Sequence, residues 1–407
     1  MSSMTVHNPD RYMVDLRQIL SQGRKRIGLL IGAGAPMAIL IDGKPLIPDV
    51  ARLTTAVVSS LGADDAKILQ ILKTEIGGEP NIEAFLTRVR RLAQAIGQAK
   101  VHGLDGAAYG TLGERICAQI GSQVSAKLPQ EVGPYTELVS WIGGTHRDHP
   151  VEIFTPNYDL LIEEAFERAR LPFFDGFTGV HLPFFDPVSI SEDQLPARWS
   201  RLWKLHGSLG WDVSGDTVVR TGQRNATKLI YPDHLKYDEI TRLPYSALFE
   251  RLREFLTTPD SLLICSGFSF GDAHICAVLD EALAANSNTA IFAFQYHALD
   301  QERLATRLAV NRPNLSIYAR DGAVISGIPG KWLPGQLPND EWNEIRRTFW
   351  QGSSKDTAEE FLLGDFAKLA RFFALAQAKQ MAAPVPAMPP ATTKDMPVVS
   401  EAGNAKP

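Results

Sequence analysis

The sequence predicts a doubly wound, parallel α/β sheet with a helical subdomain inserted near its start. Three observations predict it. Six short apolar runs recur along the chain, each stops abruptly at a glycine or a polar residue, and helical patterns lie between several of them. Continuous apolar runs of about four to six residues mark strands buried on both faces, as parallel strands are.

The runs are Arg26 to Ile31 before Gly32, Val151 to Phe154 before Thr155-Pro156-Asn157, and Leu202 to Leu205 before His206-Gly207. They continue with Leu262 to Cys265 before Ser266-Gly267, Ala290 to Phe294 before Gln295, and Leu315 to Tyr318 before Arg320-Asp321-Gly322. In doubly wound sheets ligands bind beyond the carboxyl ends of the strands, so these polar endings are expected to share one crevice. About 120 residues separate the first two runs, far more than a single crossover helix needs. Residues of about 51–141 are therefore expected to form an inserted helical subdomain, with one helix starting at Asn81 and carrying Phe85, Leu86, Val89 and Leu92 on its apolar face. Arg88, Arg90 and Arg91 on that helix read either as a solvated face or as a partner or phosphate contact. The catalytic domain is expected to span 1–350. An amphipathic helix within 351–380 follows, marked by Leu362, Phe366, Leu369, Phe373 and Leu375 and capped by Asp356, as a packing or oligomer element. The Pro/Ala-rich tail 381–407 is expected to be disordered.

Composition narrows the function classes. A formal net charge of -5 offers nucleic acid and anionic membranes no overall attraction. No apolar run approaches the roughly 20 residues that span a bilayer. The three cysteines, Cys117, Cys265 and Cys276, form no Cys-x-x-Cys pair, which suits a reducing cytoplasm and argues against a structural zinc site. No membrane, no direct nucleic-acid contact, no metal ligands and a cytoplasmic location are the corresponding expectations.

Each polar ending admits a chemical and a structural reading. Gly32-Ala33-Gly34 lets backbone N–H groups approach a pyrophosphate in front of a helix N-terminus, or simply makes a tight turn. Asn157 and Asp159 sit at a strand-to-helix corner, where an amide can hold a water or a ribose hydroxyl, or where an Asx turn caps the helix. His206 ends an apolar strand before Gly-Ser and can accept a proton near neutral pH, or be structural. Ser266, Gly267 and Ser269 fit a loop that bonds ribose or phosphate, while Asp272 and His274 read as rim contacts or as helix caps.

In order and spacing, Gly32-Ala33-Gly34, Ile47-Pro48-Asp49, Thr155-Pro156-Asn157-Tyr158-Asp159, Leu205-His206-Gly207-Ser208 and Ser266-Gly267-Phe268-Ser269 resemble the sirtuin superfamily over roughly residues 15–325. The chain is most similar to the bacterial sirtuin-like effectors of antiphage defence, and its length resembles the members that partner HerA-type hexameric ATPases. The resemblance implies NAD as substrate and a homo-oligomer. It places Gly32, Ala33, Gly34, Pro48 and Asp49 in the NAD site, Asn157 and Asp159 at the nicotinamide ribose, and His206 as base. Ser266, Gly267 and Ser269 would meet the adenosine half, with Asp321 and Gly322 near adenine. Pro36, Pro156 and Val50 depart from the deacylase pattern, so Arg52 does not inherit the deacylase arginine's role, and the four-cysteine zinc module is missing. These departures favour an NAD glycohydrolase over a deacylase or ADP-ribosyltransferase; a non-catalytic NAD or ADP-ribose sensor is the third possibility.

Overall fold

The computed structural model describes residues 5–226, 243–335, 340–353 and 359–378. Ten strands form its main sheet: β1 (Val6–His7), β2 (Arg26–Ile31), β3 (Glu152–Thr155), β4 (Phe173–Phe174), β5 (Ser200–Lys204), β6 (Ser261–Ser266), β7 (Ala290–Phe294), β8 (Leu315–Tyr318), β9 (Gly322–Ile325) and β10 (Ile328–Trp332). Their spatial order is β1-β10-β9-β8-β7-β6-β2-β3-β5-β4. The six strands marked by the apolar runs form the parallel centre, β8-β7-β6-β2-β3-β5. From β2 the chain winds one way to β3 and β5, then returns to β6 and winds the other way, which puts the topological switch between β2 and β6. The sheet is not wholly parallel: β9 runs antiparallel to β8 and β10. A tight Ser326-Gly327 turn, with both residues at positive φ, makes that hairpin.

Thirteen helices lie among the described residues. They are α1 (Pro9–Ser21), α2 (Val50–Ser60), α3 (Ala63–Ile76), α4 (Ile82–Ala95), α5 (Gly106–Val124), α6 (Pro134–Gly144), α7 (Leu161–Ala169), α8 (Pro187–Glu192), α9 (Tyr245–Thr257), α10 (Ala273–Ala285), α11 (Arg303–Asn311), α12 (Asp340–Phe349) and α13 (Phe366–Ala378). Alternation along the strands divides the core. Leu29, Ile31, Ile153, Leu202 and Ile264 pack with α1, α6, α7 and α13 on one face. Leu30, Phe154, Trp203, Leu263 and Cys265 pack with α9, α10 and α11 on the other. No described helix is long and apolar enough to cross a membrane.

The long first crossover contains α2 to α6. Asn81 caps α4 by accepting from the Ala84 N–H at 2.9 Å, and Phe85, Leu86, Val89 and Leu92 are buried as their spacing predicts. Arg88 bonds Glu75 at 2.9 Å and Arg90 reaches Cys117 Sγ at 3.5 Å, so both serve the subdomain's own packing.

At the C-terminus the helix begins at Phe366, and Leu362 precedes it. Asp365 accepts from the Ala367 N–H at 2.7 Å and so supplies the cap; Asp356, the expected cap, and the tail 381–407 lie outside the described residues. α13 lies along α6, with ring centroids of Phe366 and Tyr135 5.0 Å apart and those of Phe373 and Trp141 4.7 Å apart. Its apolar face is spent within the chain. A four-stranded antiparallel sheet of Phe177–Thr178, Phe184–Phe185, Trp211–Ser214 and Thr217–Arg220 stands apart from the main sheet. Its strands are too short for their alternation to stand out in the sequence.

Candidate functional site

The loops leaving β2 and β6 meet at the switch point. The Gly32 N–H donates to Ser266 O at 3.0 Å and the Gly34 N–H to Gly267 O at 2.9 Å. The approach leaves no room for side chains: a Cβ on Gly32 would stand 2.3 Å from Gly267 O, and one on Gly267, whose φ is +64°, 2.5 Å from Ala35 N. The glycines are thus required for loop-on-loop contact, and two of the N–H groups expected to face a phosphate are donated to the neighbouring loop. No α-helix opens after the glycine loop either. Pro36–Ala38 makes one 3₁₀ turn, and the first α-helix of the insertion starts only at Val50. Ala33 is exposed at the apex of the loop. The Ser266 hydroxyl is buried without a hydrogen-bond partner among the described residues.

Beyond β3, Thr155 Oγ1 donates to Ile31 O at 2.6 Å and accepts from the Asn157 N–H at 3.1 Å. Asn157, itself buried, donates from Nδ2 to Gly32 O at 3.1 Å. One corner therefore holds the amide against the glycine loop. Asp159 serves the helix: its Oδ1 accepts from the Leu161 N–H at 3.1 Å, an Asx turn at the start of α7. Lys204, buried at the end of β5, donates to Asp159 O and pairs with Glu163 Oε1 at 3.2 Å. Burial holds the Asp159 carboxyl above its usual value against the pull of Lys204. Burial, with Asp159 and Glu163 nearby, likewise pushes the Tyr135 phenol well up, and its hydroxyl is buried without a hydrogen-bond partner among the described residues.

His206 follows β5 and is buried. Its ring stacks on Phe249 of α9 at 6.2 Å, and its Nε2 lies 3.0 Å from Asp272 Oδ2. Asp272 caps α10: its Oδ1 accepts from the His274 and Ile275 N–H groups at 2.9 and 3.0 Å. Burial would push its carboxyl up, but the hydrogen bond and charge of His206 outweigh this and hold it below the usual carboxylate range.

The structure thus brings together Gly32, Gly34, Asn157, Ser266 and Gly267 at the switch point, with His206 two strands away past β5. Ser269 is exposed on the β6 loop. Pro48 precedes α2, which Asp49 caps by accepting from the Arg52 N–H at 2.7 Å. Asp321 accepts from the Leu299 N–H at 2.9 Å. It follows β8, three strand spacings or about 14 Å from β2. Gly322 begins β9, where a Cβ would meet Gly330 O at 2.5 Å, so that glycine serves the hairpin. Sequence reasoning passed over Lys204 and Phe249. A lysine closing an apolar strand two residues before His206 was the available signal for the first; nothing local marks the second, whose contact is made only in the fold. Among the described residues, Cys117, Cys265 and Cys276 form no disulfide. Among the described residues no group of three or more His, Cys, Asp or Glu is placed to hold a metal ion.

Fold and site define a Rossmann-like α/β protein whose polar groups gather at the switch point of the sheet. Residues 151–315 match the family model of the SIR2-like domain, a stretch that holds Asn157, Asp159, His206 and the β6 loop. The chain is thus similar to the SIR2-like family over that stretch, a likeness that suggests an NAD-related function. No curated protein matches the chain.

Proposed function

We propose that the protein is an NAD glycohydrolase, cleaving NAD to nicotinamide and ADP-ribose. The observation that carries this reading is the pairing of a buried amide, Asn157, tethered to the glycine loop at the switch point, with a buried imidazole, His206, at the neighbouring strand end. Nicotinamide leaves from a pyridinium precursor: the bond between its ring nitrogen and ribose C1′ breaks, and the electron pair neutralises the ring, so departure needs no general acid. The remaining tasks are to stabilise an oxocarbenium-like ribose and to place a nucleophile. With Nδ2 held by Gly32 O, Asn157 orients water through Oδ1. As the water oxygen bonds C1′, His206 takes its proton.

His206→Ala and Asn157→Ala are each expected to lower NAD turnover at least about 100-fold, the scale of a lost general base or a misplaced nucleophile, while thermal melting stays near that of the parent. Separation of products after incubation with NAD, with and without acetylated peptide and after chelation, checks the reaction class. ADP-ribose formed in water alone, without metal, supports hydrolysis. Acyl-ADP-ribose or modified protein that forms only with a second substrate would replace it with deacylation or ADP-ribosyl transfer, and tight NAD binding without turnover would make the protein a sensor. The antiphage setting, a homo-oligomer and a HerA-type hexameric ATPase partner rest on the resemblance described above. Co-expression with such an ATPase and measurement of NAD loss on phage challenge tests them.

A further inference from the structure

The two oxygens of Asp272 face different elements. Oδ1 is occupied by the two N–H groups that open α10. Oδ2 is buried and lies 3.0 Å from His206 Nε2 as an ion-pair contact, and no hydrogen bond of good geometry occupies it among the described residues. The loop that delivers Asp272 is held in a conformation no extended or helical chain would adopt. Gly267 and Phe270 both have positive φ, +64° and +58°. For phenylalanine that is strained backbone, which persists only where its surroundings over-determine it. Here they do: Phe270 is buried, its ring packs on Phe268 at 5.0 Å, and its carbonyl accepts from Cys276 Sγ at 3.3 Å. The ring of His206 is in turn fixed from the side by Phe249.

We propose that Asp272 is the positioning residue of His206, holding the imidazole as the Nε2–H tautomer so that Nδ1 is the nitrogen left to accept a proton in the crevice. A carboxylate can only accept from a neutral imidazole, and the nitrogen it accepts from must carry the hydrogen. The role in catalysis rests on the hydrolase reading; the tautomer does not. Because the helix cap and the imidazole contact use different oxygens, substitutions separate them. In Asp272→Asn the single oxygen stays with the helix N–H groups, which need an acceptor, and the NH2 group turns to His206. Nε2 must then accept, and the ring is forced to the Nδ1–H form, with no base toward the crevice. In Asp272→Ser the hydroxyl still caps α10, but the arm to His206 is gone and the ring is free to take either tautomer.

The test is nitrogen NMR of the full chain carrying 15N-labelled histidine, at a pH where the ring is neutral, with His206→Gln used to assign the signal. The expected result is Nε2–H in the parent, Nδ1–H in Asp272→Asn and a mixture in Asp272→Ser. Both variants should melt near the parent temperature. NAD turnover should fall about 100-fold or more in Asp272→Asn, the scale of a lost general base, and less in Asp272→Ser, chiefly in kcat. A purely structural role predicts equal effects of two equally good caps. A parent ring in the Nδ1–H form, or full turnover by a folded Asp272→Asn protein that His206→Ala abolishes, overturns the proposal. The expected tautomers in a parent that does not turn over NAD uphold the positioning role and discard the hydrolase reading instead.

Discussion

Asp175 shows how a single buried carboxyl sets a pH dependence. Burial pushes it from 3.8 to about 6, against the pull of Arg220, whose Nη2 donates to its Oδ1 at 2.7 Å. A folded-state value above the unfolded one means that the native chain binds more protons between those two values, so stability falls as pH rises through that window. Asp175→Asn is expected to flatten the decline in melting temperature between about pH 4 and pH 6. Unchanged slopes for parent and variant would mean that Asp175 ionises in the fold as it does in water. Among the candidate residues, residue type and position at a strand end made His206 and Asn157 legible. The duties of Asp159 and Asp272 were open in the sequence, because an aspartate just before a helix reads equally as a cap and as a site group. In the fold both aspartates accept from helix N–H groups, and Asp272 in addition lies 3.0 Å from His206 Nε2.

At the scale of the element, α13 is a beam between α1 and α6 rather than an appendage. Phe366, Leu369, Ala370, Phe372 and Phe373 are all buried, and the helix forms one wall of a small cavity lined also by Ile31, Leu138, Ile264 and Ser266. Phe373→Ala deletes a buried ring packed against Trp141 and is expected to cost about 3–5 kcal/mol of unfolding free energy, measured by denaturant titration. A loss within about 0.5 kcal/mol, typical of a surface site, would show that α13 does not belong to the cooperative core. The apolar spacing of this helix was visible in the sequence; its partner was not. An amphipathic face states that something must cover it, and only the fold supplies α6. The segment before it is equally fixed: a Cβ on Gly364 would stand 2.1 Å from Gln295 O, and Gln295 in turn donates from Nε2 to Phe268 O at 3.1 Å. The C-terminal segment thereby touches the β6 loop through one intermediary.

Across the whole molecule, the amino-terminal half of the central sheet is tied to the opposite helical layer by a buried ionic network. Arg251 of α9 donates to both oxygens of Glu152 in β3 at 2.8 Å and to Asp193 Oδ2 at 2.8 Å, and Trp203 Nε1 donates to Glu152 Oε2 at 2.9 Å. Burial lowers the guanidinium's affinity for its proton, but the hydrogen bonds and charges of Glu152, Asp193 and Glu254 outweigh it and raise that affinity above the usual value. Arg251→Met leaves the Glu152 carboxylate buried and unpaired and is expected to cost about 3–5 kcal/mol, whereas adding Glu152→Gln should restore part of that loss. Equal melting of the single and double variants would deny the coupling. By itself the sequence determined the six central strands, the place of the insertion and the polar strand ends, because burial on both faces writes continuous apolar runs and connections are local. It could not determine that the glycine loop spends two N–H groups on the β6 loop, that β9 alone reverses direction between β8 and β10, or that Arg251 pairs with a carboxylate 99 positions away. Those contacts join residues remote in the chain, and their partners are chosen by the packing of the whole fold rather than by any local pattern of polarity.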